Sequence, residues 1–353
     1  MPVKSLSTPR RKLVIAAGAL LSLTLAGCNS DVSQVYSSSA PPSGKTGPVR
    51  IALLASSSQN GFNKAVYDGA VARAKKYGDV EVTIFDGKFD SQTQFNQVQN
   101  VASQGTYDGI VLVPNDNVGI AAAIPAAARA KIPVATTLFP VGPQLTELKP
   151  QVEGIVSTVA ADTEANSKKL AEGAVKYCED KDPCRVAILI GQLQFPFDNL
   201  RNKAYRSVLD GHPNIKVVAT GQGNYDRDTS LKAMQNILQA NPKLDVLLSN
   251  ADQQTIGAQV ALESAGVDLT KMYVTGGGGN QEAIKQVRAG KWAADQVDFP
   301  NSMGKAALEQ VVNAVRGQPV TPVIDANTLG PVPVIVTKEI LGEHPDFTGE
   351  WAD

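Results

Sequence analysis

From Val49 onward, short apolar runs alternate with longer stretches of helical spacing, and this alternation limits the fold more than any other feature of the chain. VRIALLA (49–55), VEVTIFD (80–86), GIVLVP (109–114) and IPVATTL (132–138) read as buried parallel strands. After the first, Phe62, Ala65, Val66, Gly69, Ala70, Ala74 and Tyr77 fall on one face of a helix over 61–78, with Gly78 as its C-cap. Residues 91–104 and 118–130 behave in the same way. The pattern then restarts with RVAILIG (185–191), IKVVATG (215–221), LDVLLSN (244–250) and MYVTGG (272–277). Helices are predicted over 162–177, 198–210, 227–240, 253–265, 280–289 and 302–316. The expected class is α/β: two similar lobes, each a parallel sheet with helices on both faces. In such sheets a ligand sits beyond the carboxyl ends of the strands, so the loops after the strands should carry the function.

The first residues follow different rules. Lys4, Arg10, Arg11 and Lys12 precede the apolar run LVIAAGALLSLTL (13–25), with no acid among them. A bilayer span needs about 20 apolar residues. This run is shorter and has the length of a signal-peptide core. It ends at Leu25-Ala26-Gly27-Cys28, which resembles the lipobox of bacterial lipoproteins. The resemblance implies a signal peptide over 1–27, cleavage before Cys28, and acylation of that cysteine. A plain secretory signal with an incidental cysteine is the alternative. Arg10-Arg11 leaves the twin-arginine route open beside ordinary secretion. Residues 29–48 are rich in Ser, Pro and Gly and nearly lack branched aliphatics, so 28–48 reads as a lipidated, flexible tether.

Lys+Arg 33 against Asp+Glu 34 gives a net charge of −1, and no basic patch is visible. Nucleic acid is therefore not an expected partner. Besides Cys28 the chain has Cys178 and Cys184, in CEDKDPC. In an exported chain this pair is expected to form a disulfide. A metal site would need further soft ligands, and the only histidines are His212 and His344.

The loops after the strands mix polar groups with aromatics. They include SSSQNGFNKAVYDGA (56–70), TTLFPVG (136–142), QLQFPFDNLRNKAY (192–205), GQGNYDRD (221–228), SNADQQTIGA (249–258), TGGGGNQEA (275–283) and ADQVDFPNS (294–302). Such a mix suits a polyhydroxylated ligand. Amides, carboxylates and guanidinium meet the hydroxyls, and rings pack on the C–H faces. Asn63, Asp198 and Asn280 have a second reading as helix caps, and Phe62 and Phe197 as core. Asn115 and Asp116 follow the third strand, from which both could reach the cleft, with capping the simpler role.

Residues 49–336 resemble a type I periplasmic sugar-binding protein of the ribose-binding kind. The segments that carry the likeness are IALLASSSQNGFNKAVYDGA, IPVATT and GNYDRDTSLKAMQNILQANPKLDVLLSNADQQTIGAQVALESAG. The resemblance implies two lobes joined by a three-crossing hinge, about 49–157 plus 299–322 and about 158–298 plus 326–353. It also implies a ligand in the cleft, lobe closure by hinge motion, and delivery to the permease of an ABC importer.

Asn60 and Phe62 match the family's first-loop amide and aromatic, Arg201 its hydroxyl-holding arginine, and Tyr225 the aromatic before Asp-Arg. Elsewhere the chain departs. Leu138-Phe139 stands where ribose-type proteins have Asp-Arg, Asn250-Ala251-Asp252 where they have Gln-Asn-Asp, and Gly277-Gly278-Gly279 where they have Phe-Asp-Gly. Asp298 stands in place of their last-loop Gln. The expected site is more apolar at 138–139 and roomier at 276–279, suited to a larger sugar, a polyol or a modified ring. Asp252 and Asp298 leave an amine-bearing ligand open. The expected ligand-binding residues are Asn60, Phe62, Asn63, Phe139, Asp198, Arg201, Tyr225, Asn250, Asp252, Gly278 and Asp298.

Other classes fit less well. GGGG lacks the G-x-G-x-x-G spacing, and no GK[ST] follows. No G-x-S-x-G or H-E-x-x-H occurs. A glycosidase would need two facing carboxylates, for which Asp252 and Asp298 are the candidates. Repressors that share the two-lobe fold carry an N-terminal DNA-binding helix-turn-helix, where this chain has a signal and tether. The expectation is a monomeric, exported, lipid-anchored solute-binding protein with no metal or organic cofactor, whose partners are a sugar or polyol, an ABC permease and the membrane. A ligand-presenting sensor subunit would look the same at the ligand site.

Overall fold

The computed structural model describes residues 44–353. Cys28, the signal segment and the tether up to residue 43 lie outside the described residues. The strands are β1 Val49–Ala55, β2 Val80–Asp86, β3 Gly109–Leu112, β4 Val134–Leu138, β5 Ile155–Ala160, β6 Cys184–Ile190, β7 Ile215–Gln222, β8 Val246–Ser249, β9 Tyr273–Gly277, β10 Ala294–Gln296, β11 Val323–Asp325 and β12 Ile335–Thr337. The helices are α1 Gly61–Tyr77, α2 Ser91–Gln104, α3 Ile124–Arg129, α4 Thr163–Tyr177, α5 Pro196–Leu209, α6 Arg227–Ala240, α7 Asp252–Ser264, α8 Gln281–Ala289, α9 Pro300–Val315 and α10 Lys338–Glu343.

The strands form two six-stranded sheets, β11-β5-β4-β3-β1-β2 and β12-β10-β9-β8-β6-β7. All pairs are parallel except β10–β12. Helices cover both faces of each sheet. On the first, α1 and α9 pack on one face through Val66, Ala70 and Val311, and α2 and α3 on the other through Val98 and Ile124. On the second, α6, α7 and α8 lie opposite α4 and α5. The chain passes between the sheets three times: after β5, after β10 and after β11.

The eight expected strands are present, and β5, β10, β11 and β12 join them. β5 runs unbroken to Ala160 because it pairs with β4 on one side and β11 on the other. The first crossing therefore lies after residue 160 rather than at 157/158, and the first sheet extends to residue 325 rather than 322. β10, β11 and β12 have three residues each, too few for period or composition to mark them. The helix expected over 118–130 is split into a 3-10 turn, Gly119–Ala122, and α3. Pro125 has no N–H to continue an earlier turn and sits instead at the start of a new helix. Cys178 and Cys184 form a disulfide. No helix among the described residues is long and apolar enough to cross a membrane.

Two glycines set how closely α1 and α9 approach. A Cβ on Gly69 would strike the Asn301 carbonyl, and one on Gly304 would strike the Val66 carbonyl. This contact matters for function, because the start of α1 and the start of α9 both face the crevice between the sheets. Gly304→Leu should separate the two helices and destabilise the fold by about 1–3 kcal/mol, the usual cost of overpacking. The midpoint of urea unfolding should fall accordingly; an unchanged midpoint would remove this contact from the fold's constraints.

Candidate functional site

A cavity of ≈ 520 Å³, counting its open mouth, lies where the loops after the strands of both sheets meet. From the first sheet come Ser56, Asn60, Phe62, Asn63, Phe89, Asn115, Leu138 and Phe139. From the second come Phe197, Arg201, Tyr225, Asn250, Ala251, Gln253, Gly277, Gly278 and Asp298. Trp351 completes the wall.

Many of the polar groups are already committed to the protein. Asn60 Oδ1 caps α1 by accepting from the Asn63 N–H (3.2 Å) and from Asn63 Nδ2 (3.1 Å). Asn63 Oδ1 accepts from the Ser56 N–H at 3.1 Å. Behind the cavity, Asp198 is fully buried. Its Oδ1 accepts from Tyr225 Oη (2.6 Å), Asn250 Nδ2 (3.0 Å) and Arg201 Nη1 (3.4 Å), and its Oδ2 accepts from the Gln192 N–H (2.7 Å). Burial pushes the Asp198 carboxyl up, and Arg201, Tyr225 and the Gln192 amide pull it back. Asn250 Oδ1 is taken by Gln254 Nε2 at 3.0 Å.

Three groups keep spare capacity. Among the described residues Arg201 makes one protein hydrogen bond, to Asp198, which leaves four N–H donors. Among the described residues Asp298 accepts only from Gln296 Nε2, at 3.5 Å. Asn60 Nδ2 has no protein partner among the described residues. Burial raises the Asp298 carboxyl to about 6 against the pull of Arg201.

The rest of the wall is aromatic. Phe139 stacks on Phe197 with centroids 3.9 Å apart, and Phe89 stacks on Tyr225 at 5.4 Å. Each pair joins a loop of the first sheet to one of the second. The Arg201 guanidinium lies 5.0 Å from the Phe139 ring centre, within cation–π range. Phe89, Leu138 and Tyr225, all in the wall, have left-handed backbone with φ of 50°, 75° and 57°. Such conformations are uncommon outside glycine and persist where the surroundings hold them.

Nine of the eleven expected ligand residues reach this wall. Asp198 and Asp252 do not. Asp198 serves as the buried acceptor described above. Asp252 turns to the glycine loop, where Oδ1 accepts from the Gly277 N–H (2.8 Å) and Oδ2 from the Asn280 N–H (2.6 Å). A carboxylate in a fully buried position must spend its lone pairs on such donors. Asp252 also lies against Asp295, a second fully buried carboxyl. Burial and the Asp252 charge push the Asp295 carboxyl far up, and burial raises Asp252 itself to about 7. The facing pair Asp252 and Asp298 is therefore not formed.

Asn280 caps α8 through the Glu282 N–H. Asp116 caps the 3-10 turn, while Asn115, read as a cap, reaches the cavity. The room expected at 276–279 is closed at Gly278 by the indole of Trp351, which no strand–loop pattern marked, and at Gly276 by Asp252 and Trp292. Phe89 was also missed, although the rule of searching loops after strands would have found it after β2.

The sequence profile of the periplasmic binding protein domain matches residues 51–319. The ribose import binding protein of Bacillus subtilis (strain 168) is 27% identical over 286 residues, covering 80% of this chain and 87% of that protein. A solute-binding protein of an ABC transporter from Actinobacillus succinogenes 130z, solved with bound D-allose, superposes with a TM-score of 0.71 at 25% identity, covering 84% of this chain and 99% of that one. A Caulobacter myo-inositol binding protein bound to myo-inositol gives a TM-score of 0.73 at 24% identity, covering 85% and 97%.

The raised carboxyl of Asp298 makes a signed prediction. The folded state holds this proton more tightly than the unfolded chain, so the stability it contributes is greatest at low pH and is lost as pH rises through about 6. Asp298→Asn should therefore raise the melting temperature at pH 8, by on the order of 2–3 kcal/mol of stability. The gain should shrink toward pH 4. An equal effect at both pH values would show that the carboxyl titrates normally.

Proposed function

This chain belongs to the periplasmic binding protein family, and from that premise we propose that it is an extracytoplasmic lipoprotein that captures a sugar or sugar-like polyol between two lobes and delivers it to an ABC importer. The family's members are solute-binding proteins of transport systems, not enzymes. One observation carries the reading: a single aromatic-walled cavity holds two opposite charges, Arg201 and Asp298, both short of hydrogen-bond partners. Vicinal hydroxyls satisfy both at once, accepting from the guanidinium and donating to the carboxylate. An amine would gain from Asp298 but would be repelled by Arg201, and Asp252 is spent on the glycine loop.

In this reading Phe62, Phe139 and Tyr225 pack on the ligand, and Asn60, Arg201 and Asp298 hydrogen-bond it. Asn63 and Asn250 hold their neighbours in place, and Asp198 fixes Tyr225, Asn250 and Arg201 from behind. The two sheets and their helices are the lobes, and the three crossings are the hinge on which they close. Acyl chains on Cys28 hold the protein at the membrane surface.

The test is a thermal-shift panel on the purified protein with pentoses, hexoses, polyols, amino sugars and non-sugar amines. D-ribose, D-allose and myo-inositol lead the panel because the relatives' names point there. A ligand that binds only the folded form raises the melting temperature. A shift with a sugar or polyol is expected; flat carbohydrate traces with a hit among the amines would overturn the ligand class. Arg201→Ala should weaken binding by about 2 kcal/mol or more, the scale of lost charged hydrogen bonds. Unchanged affinity in calorimetry would remove Arg201 from the site.

A further inference from the structure

We propose that Trp351 is a specificity-determining residue, an indole wall on which the C–H face of the ligand ring rests, carried into the cavity by the segment 344–353. This rests on the sugar or polyol reading above and says which ring surface the site selects.

The segment follows α10 and lies outside both sheets, yet it is fixed at every turn. Arg288 donates to the carbonyls of Leu341 (2.7 Å), His344 (2.8 Å), Pro345 (3.2 Å) and Phe347 (2.7 Å). Glu350 accepts from the Ser302 N–H in the first turn of α9 (2.9 Å) and from its hydroxyl. Asp353 accepts from Arg227 (3.1 Å) and Gln253 (3.4 Å). The Gln281 N–H donates to the Trp351 carbonyl at 2.9 Å. The segment thus ties α9, packed on the first sheet, to the loops of the second.

Trp351 itself is 3% exposed and lines the cavity. Its Nε1–H donates to the Gly278 carbonyl at 2.6 Å. With that donor used, the ring offers the cavity only carbon. Phe62 meets it edge-on at 5.7 Å and 81°, which fixes its plane. Its seat depends on residue 278. Gly278 has φ 127°, and a Cβ there would come within 2.9 Å of Trp351 Cζ2. Glycine at 278 and tryptophan at 351 therefore form one device. The polar side chain that position 278 lacks is replaced by an apolar wall, opposite in character to Arg201 and Asp298. A ring with hydroxyls on one face and hydrogens on the other fits such a cavity better than one with hydroxyls on both.

The experiment titrates wild type, Trp351→Ala and Trp351→Phe with D-ribose, D-allose and myo-inositol by calorimetry. For the probe that wild type binds best, Trp351→Ala should lose at least about tenfold in affinity, and Trp351→Phe should lose less. The chain has two tryptophans, and Trp292 is buried with its N–H on Gln259. Binding should change the fluorescence of wild type, and that change should vanish in Trp351→Phe. If wild type binds a probe and both variants keep its affinity within twofold, Trp351 is only a fastening of the segment and the proposal fails alone. If wild type binds none of the three, the titration is run with the sugar or polyol that shifts its melting temperature in the wider panel, and only if none does do the sugar reading and this inference fall together. If Trp351→Ala does not fold, the affinity and fluorescence of Trp351→Phe decide.

Discussion

A carboxylate shut away from water must gather donors or give up its charge, and in this protein Asp198 gathers them. Its partners come from four places: the Gln192 amide after β6, Arg201 on α5, Tyr225 after β7 and Asn250 after β8. Leaving such a group unpaired would cost several kcal/mol. Three loops of the second sheet are therefore bound to converge on one point, and Tyr225 keeps its left-handed backbone there. The cavity wall on that side is built before any ligand arrives, and pre-built walls cost less to order on binding.

The first sheet does the same work with amides instead of a charge. The chain Asn60–Asn63–Ser56 fixes the start of α1 and leaves Asn60 Nδ2 to face the cavity. Across the cavity the residues divide into those that hold and those that wait. Asn63, Asn250, Asp198 and Asp252 have used their oxygens on the protein. Arg201 and Asp298 have not, and they are the pair on which hydroxyl recognition rests.

The carboxylates of the second sheet show one residue type put to three uses by burial and neighbours. Asp198 is surrounded by donors, which pull back the rise that burial gives its carboxyl. Asp252 clamps the glycine loop beside Asp295, and burial raises both carboxyls. Asp298 stands in the wall, raised by burial and drawn down by Arg201. In sequence, Asp252, Asp295 and Asp298 look alike. Their environments, supplied by other strands and loops, make them different.

The sequence by itself determined the α/β class, the two runs of strands, and the loops that carry the site. It could do so because buried parallel strands and amphipathic helices impose periods that survive in one dimension. The loops it marked bring Asn60, Phe62, Arg201, Tyr225 and Asp298 to the cavity wall, since each follows a strand whose carboxyl end faces the crevice. It could not mark the three-residue strands β10, β11 and β12, which have too few positions to show a period. Nor could it assign Asp198 and Asp252 to the holding side, because only folding shows which donors surround them. Trp351 was the least legible residue of all. No local pattern links it to Gly278, 73 positions earlier. Only the tertiary structure brings them together, because the space left by a missing side chain exists only once the loops around it are in place.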